Sequence, residues 1–430
     1  MKSRTTLVAL GLGIAALLSV PFLLSQGLVN AAIQMLIAAL FALAYNVLCG
    51  QAGMLSFGHA AYFGVGAFAT VHAMNALGGT GLLPTPLLPL VGGAAGLLIG
   101  AVAGWFATQR TGTVFAMITL AIAELLHSLA PHLKSLFGGE AGLSAMRMPS
   151  MGLNFGSTQQ MYYLTLAWVL LCALLLYVYT LTPVGRLALG LRENGHRLRF
   201  LGYDVHRLSV LVFSISAMFS GVAGGLQVLN NEAANYALFE GTLSASVVLN
   251  TYIGGVKVFL GPALGASLMT FFGYAVSDLT RSWLLYQGIL FVLVMLFMPQ
   301  GLAGMFELLG VWRRRFGLAA LWPVLLMSVT AALLLTVGGS FLVELVQRLF
   351  SHDYRPLAAA NPFTAWPPVS LFGTRWSPSS VLTWLVPVLL LATGGVLVAL
   401  ARRRFASLLV EQDGAAPAGA SAVDTARSAA

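Results

Sequence analysis

The sequence predicts an all-α integral membrane protein, a polytopic helical bundle with broken helices, and three observations carry that prediction. Hydrophobic residues fill 58% of the 430 positions and charged residues only 8%, against roughly 25% charged in a soluble domain. The apolar residues gather into long runs, whereas the basic residues collect at the ends of runs. Two of the runs are interrupted by Gly-rich polar stretches instead of ending in ordinary loops.

Twelve apolar spans can be read in chain order: Leu7 to Leu24, Ala31 to Cys49, Gly58 to Leu77, Pro86 to Thr108, Thr111 to Leu129, Tyr163 to Leu181, Leu208 to Leu229, Leu243 to Val256, Pro262 to Leu279, Trp283 to Met298, Leu318 to Val337 and Val381 to Leu400. Met1-Lys2-Ser3-Arg4 before the first span resembles a secretory leader. The apolar run is too long for one and no small-x-small cleavage site follows, so residues 1–30 are expected to be an uncleaved membrane helix. With the N-terminus inside, alternation leaves only Lys134, Arg147, Arg281, Arg348, Arg355 and Arg375 of the 22 Lys and Arg on the outer side. That is the positive-inside pattern, and it puts both ends in the cytoplasm. The net charge of +9 is therefore an orientation signal and not a nucleic-acid footprint.

The connecting segments differ in character. The outer loop 131–162 carries a Gly138 to Leu143 turn cluster and is expected to be ordered against the membrane core, 31–317. The outer segment 338–380, with its prolines and Trp366 and Trp376, reads as an irregular interfacial loop within an added hairpin, 318–404. Residues 405–430 turn Ala- and Gly-rich without an apolar period and read as a disordered cytoplasmic tail.

Functional candidates cluster at the interruptions. The first runs from Gly50 through Gly53, Ser56, Gly58 and His59 to Gly66, and Gly254, Gly255, Gly261 and Pro262 form a counterpart in the second half. Paired Gly/Pro interruptions in two halves point to a solute path, because backbone without helical partners is tolerated at membrane depth only against protein or a water-filled cavity. A helix restarting after Gly58 would offer free amides and a positive dipole end to a carboxylate. Thr119 and Glu124 are candidate lining on the Thr111 to Leu129 span, a carboxyl in hydrocarbon normally facing an interior or a cavity. His59 can equally be a structural histidine, Glu124 a packed anchor with His127, and the glycines plain helix-packing residues. Cys49 and Cys172 are far apart in apolar runs, giving neither a disulfide framework nor a metal cluster.

The inner loop 182–207 reads as two short amphipathic helices. Val184, Leu187, Ala188 and Leu191 share one face, Asn194-Gly195 makes a turn, and Leu198 with Leu201 forms a second face before Gly202. At these residues the chain resembles the LivM-like permeases of branched-chain amino acid ABC importers. The resemblance covers about residues 30 to 306. It rests on Gly50 to Gly66, on Thr111 to Glu124 with Gly138 to Leu143, on Gly185 to Val205, and on Gly254 to Ala266 with Met298-Pro299-Gln300-Gly301-Leu302.

The resemblance implies an ABC importer permease fold and makes Gly185 to Val205 a coupling loop seated on an ATPase subunit, with Gly185, Arg192, Glu193, Asn194 and Gly202 at its matching positions. It further implies a second permease subunit, two cytoplasmic ATPase subunits, a periplasmic solute-binding protein and a location in the bacterial inner membrane. ATP and Mg would then act on the partner subunits, this chain binding no cofactor or metal. Lys257, Val258, Leu198 and Gly195 depart from the family pattern, and the chain beyond Glu307 extends past where the family often stops. Independently of any resemblance, Lys2, Lys134 and Lys257 all lack the preceding glycine of a phosphate-binding P-loop. An ion-coupled transporter or a passive channel stays open as an alternative. An enzyme does not fit, since no catalytic triad, metal cluster or carboxylate pair can be assembled from the sequence.

Overall fold

The computed structural model describes residues 2–415 except 79–81, 151, 153, 278, 279, 281, 299, 352, 353, 355–365, 372 and 373; the side chains of 2–10, 297, 306, 307, 311, 318 and 409–415 are likewise not described. Arg281, Pro299 and Arg355, named in the sequence reading, lie outside the described residues, as do Asp278, two prolines of the 338–380 segment and the stretch 416–430. The chain divides into two compact units, Met1–Met305 and Phe306–Ala430.

The first unit is mainly helical. It contains α1 (Lys2–Leu23), α2 (Gln26–Asn46), α3 (Ala60–Leu77), α4 (Pro89–Ala107), α5 (Gly112–Leu129), α6 (Lys134–Phe137), α7 (Thr158–Leu181), α8 (Pro183–Phe200), α9 (Val205–Asn231), α10 (Gly241–Gly254), α11 (Gly261–Ser277) and α12 (Trp283–Phe297), and α13 (Gly301–Phe316) begins in it. Starts follow local chemistry. Ser157 caps α7, Thr182 caps α8 with Pro183 in its first turn, and Asp204 caps α9 by accepting from the Arg207 amide.

Helix α4 packs on α9 through glycines four residues apart. A Cβ at Gly92 would lie 2.7 Å from the Gly221 carbonyl, one at Gly96 would run into the Ala217 carbonyl, and one at Gly104 would touch the Phe213 ring at 3.0 Å. Small residues at this spacing let two backbones approach, which is how membrane helices gain packing where burial in lipid supplies no hydrophobic drive.

Seven of the described helices are long and apolar enough to cross a membrane, or eight if Trp283–Leu296 and Gly301–Phe316, bent by 43°, count as one span. The other apolar stretches read from the sequence form shorter or broken helices among the described residues. The stretches expected as Leu243 to Val256, Pro262 to Leu279 and Trp283 to Met298 form helices of 14, 17 and 15 residues, short of the ~20 residues a full crossing needs. The glycine break at 254–261 and the bend after Met298 cut them there. Leu7 to Leu24 belongs to α1, whose described apolar part is Gly11–Leu23.

The segment around Gly138 to Leu143 folds against α3 and the end of α9, as its turn cluster leads one to expect. Strand β1 (Leu143–Ser144) pairs antiparallel with β2 (Ala233–Ala234), and Asn75 Nδ2 donates to the Ser144 carbonyl at 3.1 Å. Arg147 donates to Glu232 Oε1 from its amide at 3.0 Å and from Nε at 2.9 Å. Burial pushes the Glu232 carboxyl up, but these Arg147 bonds outweigh it and hold the group below the ordinary glutamate range.

In the second unit, α14 (Leu318–Phe350) and α15 (Val381–Ala415) pack on each other through Gly338 against Leu390 and Gly394 against Leu335. Both outrun the expected hairpin. Residues 338–350 continue α14, with no proline among them and the Gly338-Gly339 pair tolerated where Gly338 meets α15. Helix α15 passes the expected end at Arg404 because Ala406, Leu408 and Leu409 favour helix and no Gly or Pro interrupts it between there and Gly414. The expected irregular loop holds a small hairpin, β3 (Val369–Leu371) with β4 (Thr374–Trp376), and Trp376 packs edge-on against Phe341 at 4.9 Å.

Candidate functional site

The first interruption begins where α2 widens into a π turn over Val47–Gln51. A π turn leaves carbonyls without their usual partners and often marks a functional site. The chain then leaves the helix, Gly53 taking φ +70°, and Tyr45 Oη holds the Ser56 carbonyl at 3.0 Å. Phe57 donates its amide to Thr119 Oγ1 at 3.2 Å, while Thr119 donates to Ala116 O at 2.8 Å. Gly58 lies so close to the Thr119 carbonyl that any Cβ would overlap it.

His59 sits at the centre of this segment, fully buried between Tyr45, Tyr62 and Phe213. Its partners fix its tautomer. Ser216 donates to Ala44 O at 2.7 Å, so its oxygen accepts from His59 Nε2 at 2.8 Å. With the ring proton on Nε2, Nδ1 accepts from Ser56 Oγ at 3.0 Å, and Ser56 Oγ in turn accepts the Gly58 amide at 3.3 Å. The imidazole is neutral, with both nitrogens engaged by the chain itself. Ser56, His59 and Thr119 thus hold the break in shape, and in this structure none presents a free polar atom to a solute.

The α3 amides are engaged too, which corrects the expectation that they face a cavity. Ala60 donates to Ser244 Oγ at 2.9 Å, Ala61 to Gly58 O at 3.1 Å, and Tyr62 and Phe63 to His59 O at 3.2 and 3.3 Å. Short-range turn bonds and one serine from α10 have satisfied the donors that a helix start leaves open.

The second interruption is a knot of backbone contacts. Gly255 takes φ +107°, its missing Cβ would sit 2.5 Å from the Gln300 carbonyl, and Gly254, Gly261, Gly265 and Gly301 all press on one another's backbones or on Asn250 and Gly255. Pro262 occupies the first turn of α11, where its missing amide costs nothing. One turn ahead of each break lies an asparagine, Asn46 before Gly50 and Asn250 before Gly254. Both are buried, and Asn46 Oδ1, Asn250 Oδ1 and neighbouring Thr251 Oγ1 lack a hydrogen-bond partner among the described residues. The sequence reading missed them, although the shared four-residue offset was visible.

The two breaks touch. Val256 Cγ1 lies 2.8 Å from the Cβ position of Gly50, and Cys49 Sγ is 3.5 Å from Tyr252 Oη. Helix α8 is joined to the same place. Its helical geometry fails at Asn194, with φ −162° and ψ 96°, and Asn194 Oδ1 caps the second half at the Arg197 amide, 3.1 Å away. Gly185 packs its backbone on Tyr179, and Gly202, at φ +88°, ends the helix with the Tyr203 amide on Leu198 O at 3.1 Å. Arg192, exposed like Glu193 and Asn194, reaches back so that its Nη1 donates to the Gly50 carbonyl at 2.6 Å. Beyond them Phe200, Leu201 and Tyr203 are 93%, 66% and 47% exposed, an apolar tip among arginines.

Glu124 is half exposed on α5, with His127 Nδ1 at 3.8 Å and its Oε1 against Gly241 at the start of α10. The fully buried residues of α5 are Phe115, Ala116, Thr119 and Ala123, with Ile118, Ile122 and Leu126 packed partly against the core. Among the described residues no group of three or more His, Cys, Asp or Glu could hold a metal ion.

A multi-pass α-helical bundle with two touching helix breaks, tied to an amphipathic connecting helix, defines the class as a membrane permease. The family "Branched-chain amino acid transport system / permease component" matches residues 27–299, and the chain belongs to it. It is 28% identical over 331 residues to the high-affinity branched-chain amino acid transport system permease protein LivM of Escherichia coli, covering 71% of this chain and 76% of that one. It is 29% identical over 311 residues to the protein of the same description from Salmonella typhimurium, covering 66% and 72%. No solved structure gives a significant match.

Proposed function

We propose that this chain is the translocating subunit of a binding-protein-dependent ABC importer for branched-chain or related amino acids. It pairs with a second permease, two ATPase subunits that bind ATP and Mg, and a periplasmic binding protein in the bacterial inner membrane. Both termini and α8 face the cytoplasm, a reading that rests on the distribution of arginines. The path runs beside Gly50 to His59 and Gly254 to Pro262, where Asn46, Asn250 and Thr251 supply polar atoms still lacking partners. Half-exposed Glu124, on a helix whose candidate span is only 22% buried, suits the face toward the second permease.

The observation carrying this reading is the α8 tip. Phe200 and Leu201 are exposed at a helix end rich in arginine, a place where lipid does not cover them, so a protein partner accounts for them best. An ion-coupled mechanism gains nothing from His59, whose nitrogens are both taken. The test is co-purification. Phe200→Ser is expected to leave the permease in the membrane while the co-expressed ATPase subunits no longer elute with it. Undiminished co-elution would contradict the docking role.

A further inference from the structure

One side chain ties helix α8 to the first break and, through Gly50, to the second. The Arg192 stem lies across Gly53, whose absent Cβ would sit 2.7 Å from Arg192 Cγ and 3.2 Å from its Cα. The guanidinium then reaches the Gly50 carbonyl at 2.6 Å. Gly50 is itself wedged between Asn46 on its own helix and Val256 of the second break. Neither glycine can carry a side chain in this arrangement, and Gly53 also holds a left-handed φ.

We propose that Arg192 is the positioning residue that sets the conformation of both breaks according to the position of α8, acting as a strut and not as a docking contact. The physical reason is the stiffness of each joint. A charge-assisted bond to a carbonyl is short and directional. The backbone at Gly53 has no side chain to deform, so displacement of α8 carries residues 50–53 with it. Val256, in contact with Gly50, must follow. The π turn is suited to yield, because its carbonyls are already outside the regular helical ladder. The importance of this strut for transport rests on the ABC importer reading, whereas its existence does not.

The experiment separates the two. Amide hydrogen exchange on the purified chain in detergent micelles is compared for the native protein, Arg192→Ala, Arg192→Lys and Arg186→Ala, the last removing the same charge from an exposed position in the first half of α8. Arg192→Ala is expected to speed exchange about tenfold or more at residues 47–58 and also at 252–258, with α4 and α9 unchanged. Arg192→Lys, which keeps one donor, should recover part of the protection, and Arg186→Ala should match the native protein. Acceleration confined to 47–58, or none, would overturn the strut. With the partner subunits present, Arg192→Ala should retain ATPase co-purification and lose leucine-stimulated ATP hydrolysis. Loss of co-purification would make Arg192 a docking contact and overturn the proposal. If the native chain binds no ATPase at all while the exchange pattern holds, the strut stands and the importer reading fails.

Discussion

Ser216→Ala tests whether the buried histidine relay holds the first break. Ser216 accepts from His59 Nε2 at 2.8 Å and donates to Ala44 O at 2.7 Å. Removing its oxygen leaves the imidazole N–H without an acceptor in a site closed to water, which costs about 1–3 kcal/mol. The change in volume is one atom, so the cavity contribution is minor. Ser220, one turn along α9 and equally buried, donates only to the Ser216 carbonyl of its own helix at 2.9 Å. Ser220→Ala therefore forfeits a weak, locally redundant bond worth about 0.5 kcal/mol. The assay is SDS titration of the purified protein in mixed micelles, followed by tryptophan fluorescence, with both variants run in parallel. Ser216→Ala should be the less stable by roughly 1–2 kcal/mol. Equal destabilisation, within about 0.3 kcal/mol, would refute the claim that the histidine is held by this relay.

Gly58→Ala would place a methyl group into the Thr119 carbonyl, an overpacking of about 1–3 kcal/mol. Leucine uptake should fall with membrane abundance largely kept, and normal uptake would show that the break tolerates displacement from α5. The Arg147–Glu232 anchor should depend on pH. Because the Glu232 carboxyl is held below its ordinary value, the anchor's stabilisation is complete above the unfolded glutamate pKa of about 4.3 and is lost as pH falls through the lower folded value. Proteolysis by an acid protease within residues 139–150 should stay slow near pH 4.3 and rise below it, and Glu232→Gln should be cut readily at both.

Both helix breaks could be read from the sequence because glycine and proline mark local backbone needs, and so could the kink at Asn194, an asparagine followed by glycine within an amphipathic run. What closes around the breaks could not. Ser216 lies 157 residues from His59 and Ser244 lies 184 residues from Ala60, and a serine in an apolar helix looks the same whether it bonds its own helix or a distant histidine. The free amides expected at α3 vanished for that reason. For Glu124, whose neighbour in the structure is His127, the cost of a carboxyl in hydrocarbon predicts a shielded face without saying whether this chain or another supplies the shield. The resemblance groups Arg192 with Glu193 and Asn194, yet successive helical residues are about 100° apart, and of the three it is Arg192 that bonds Gly50. The Gly92, Gly96, Gly100, Gly104 ridge was legible by spacing and passed unread.

The central claim is that this chain moves an amino acid inward at the expense of ATP hydrolysed by partner subunits. It is tested most directly by radiolabelled leucine uptake into proteoliposomes holding this chain, the second permease and the ATPase subunits, with binding protein outside and ATP inside. The account predicts uptake that requires both ATP and binding protein and is unaffected by collapsing proton and sodium gradients. Uptake by this chain alone, driven by an ion gradient without ATP, would contradict it.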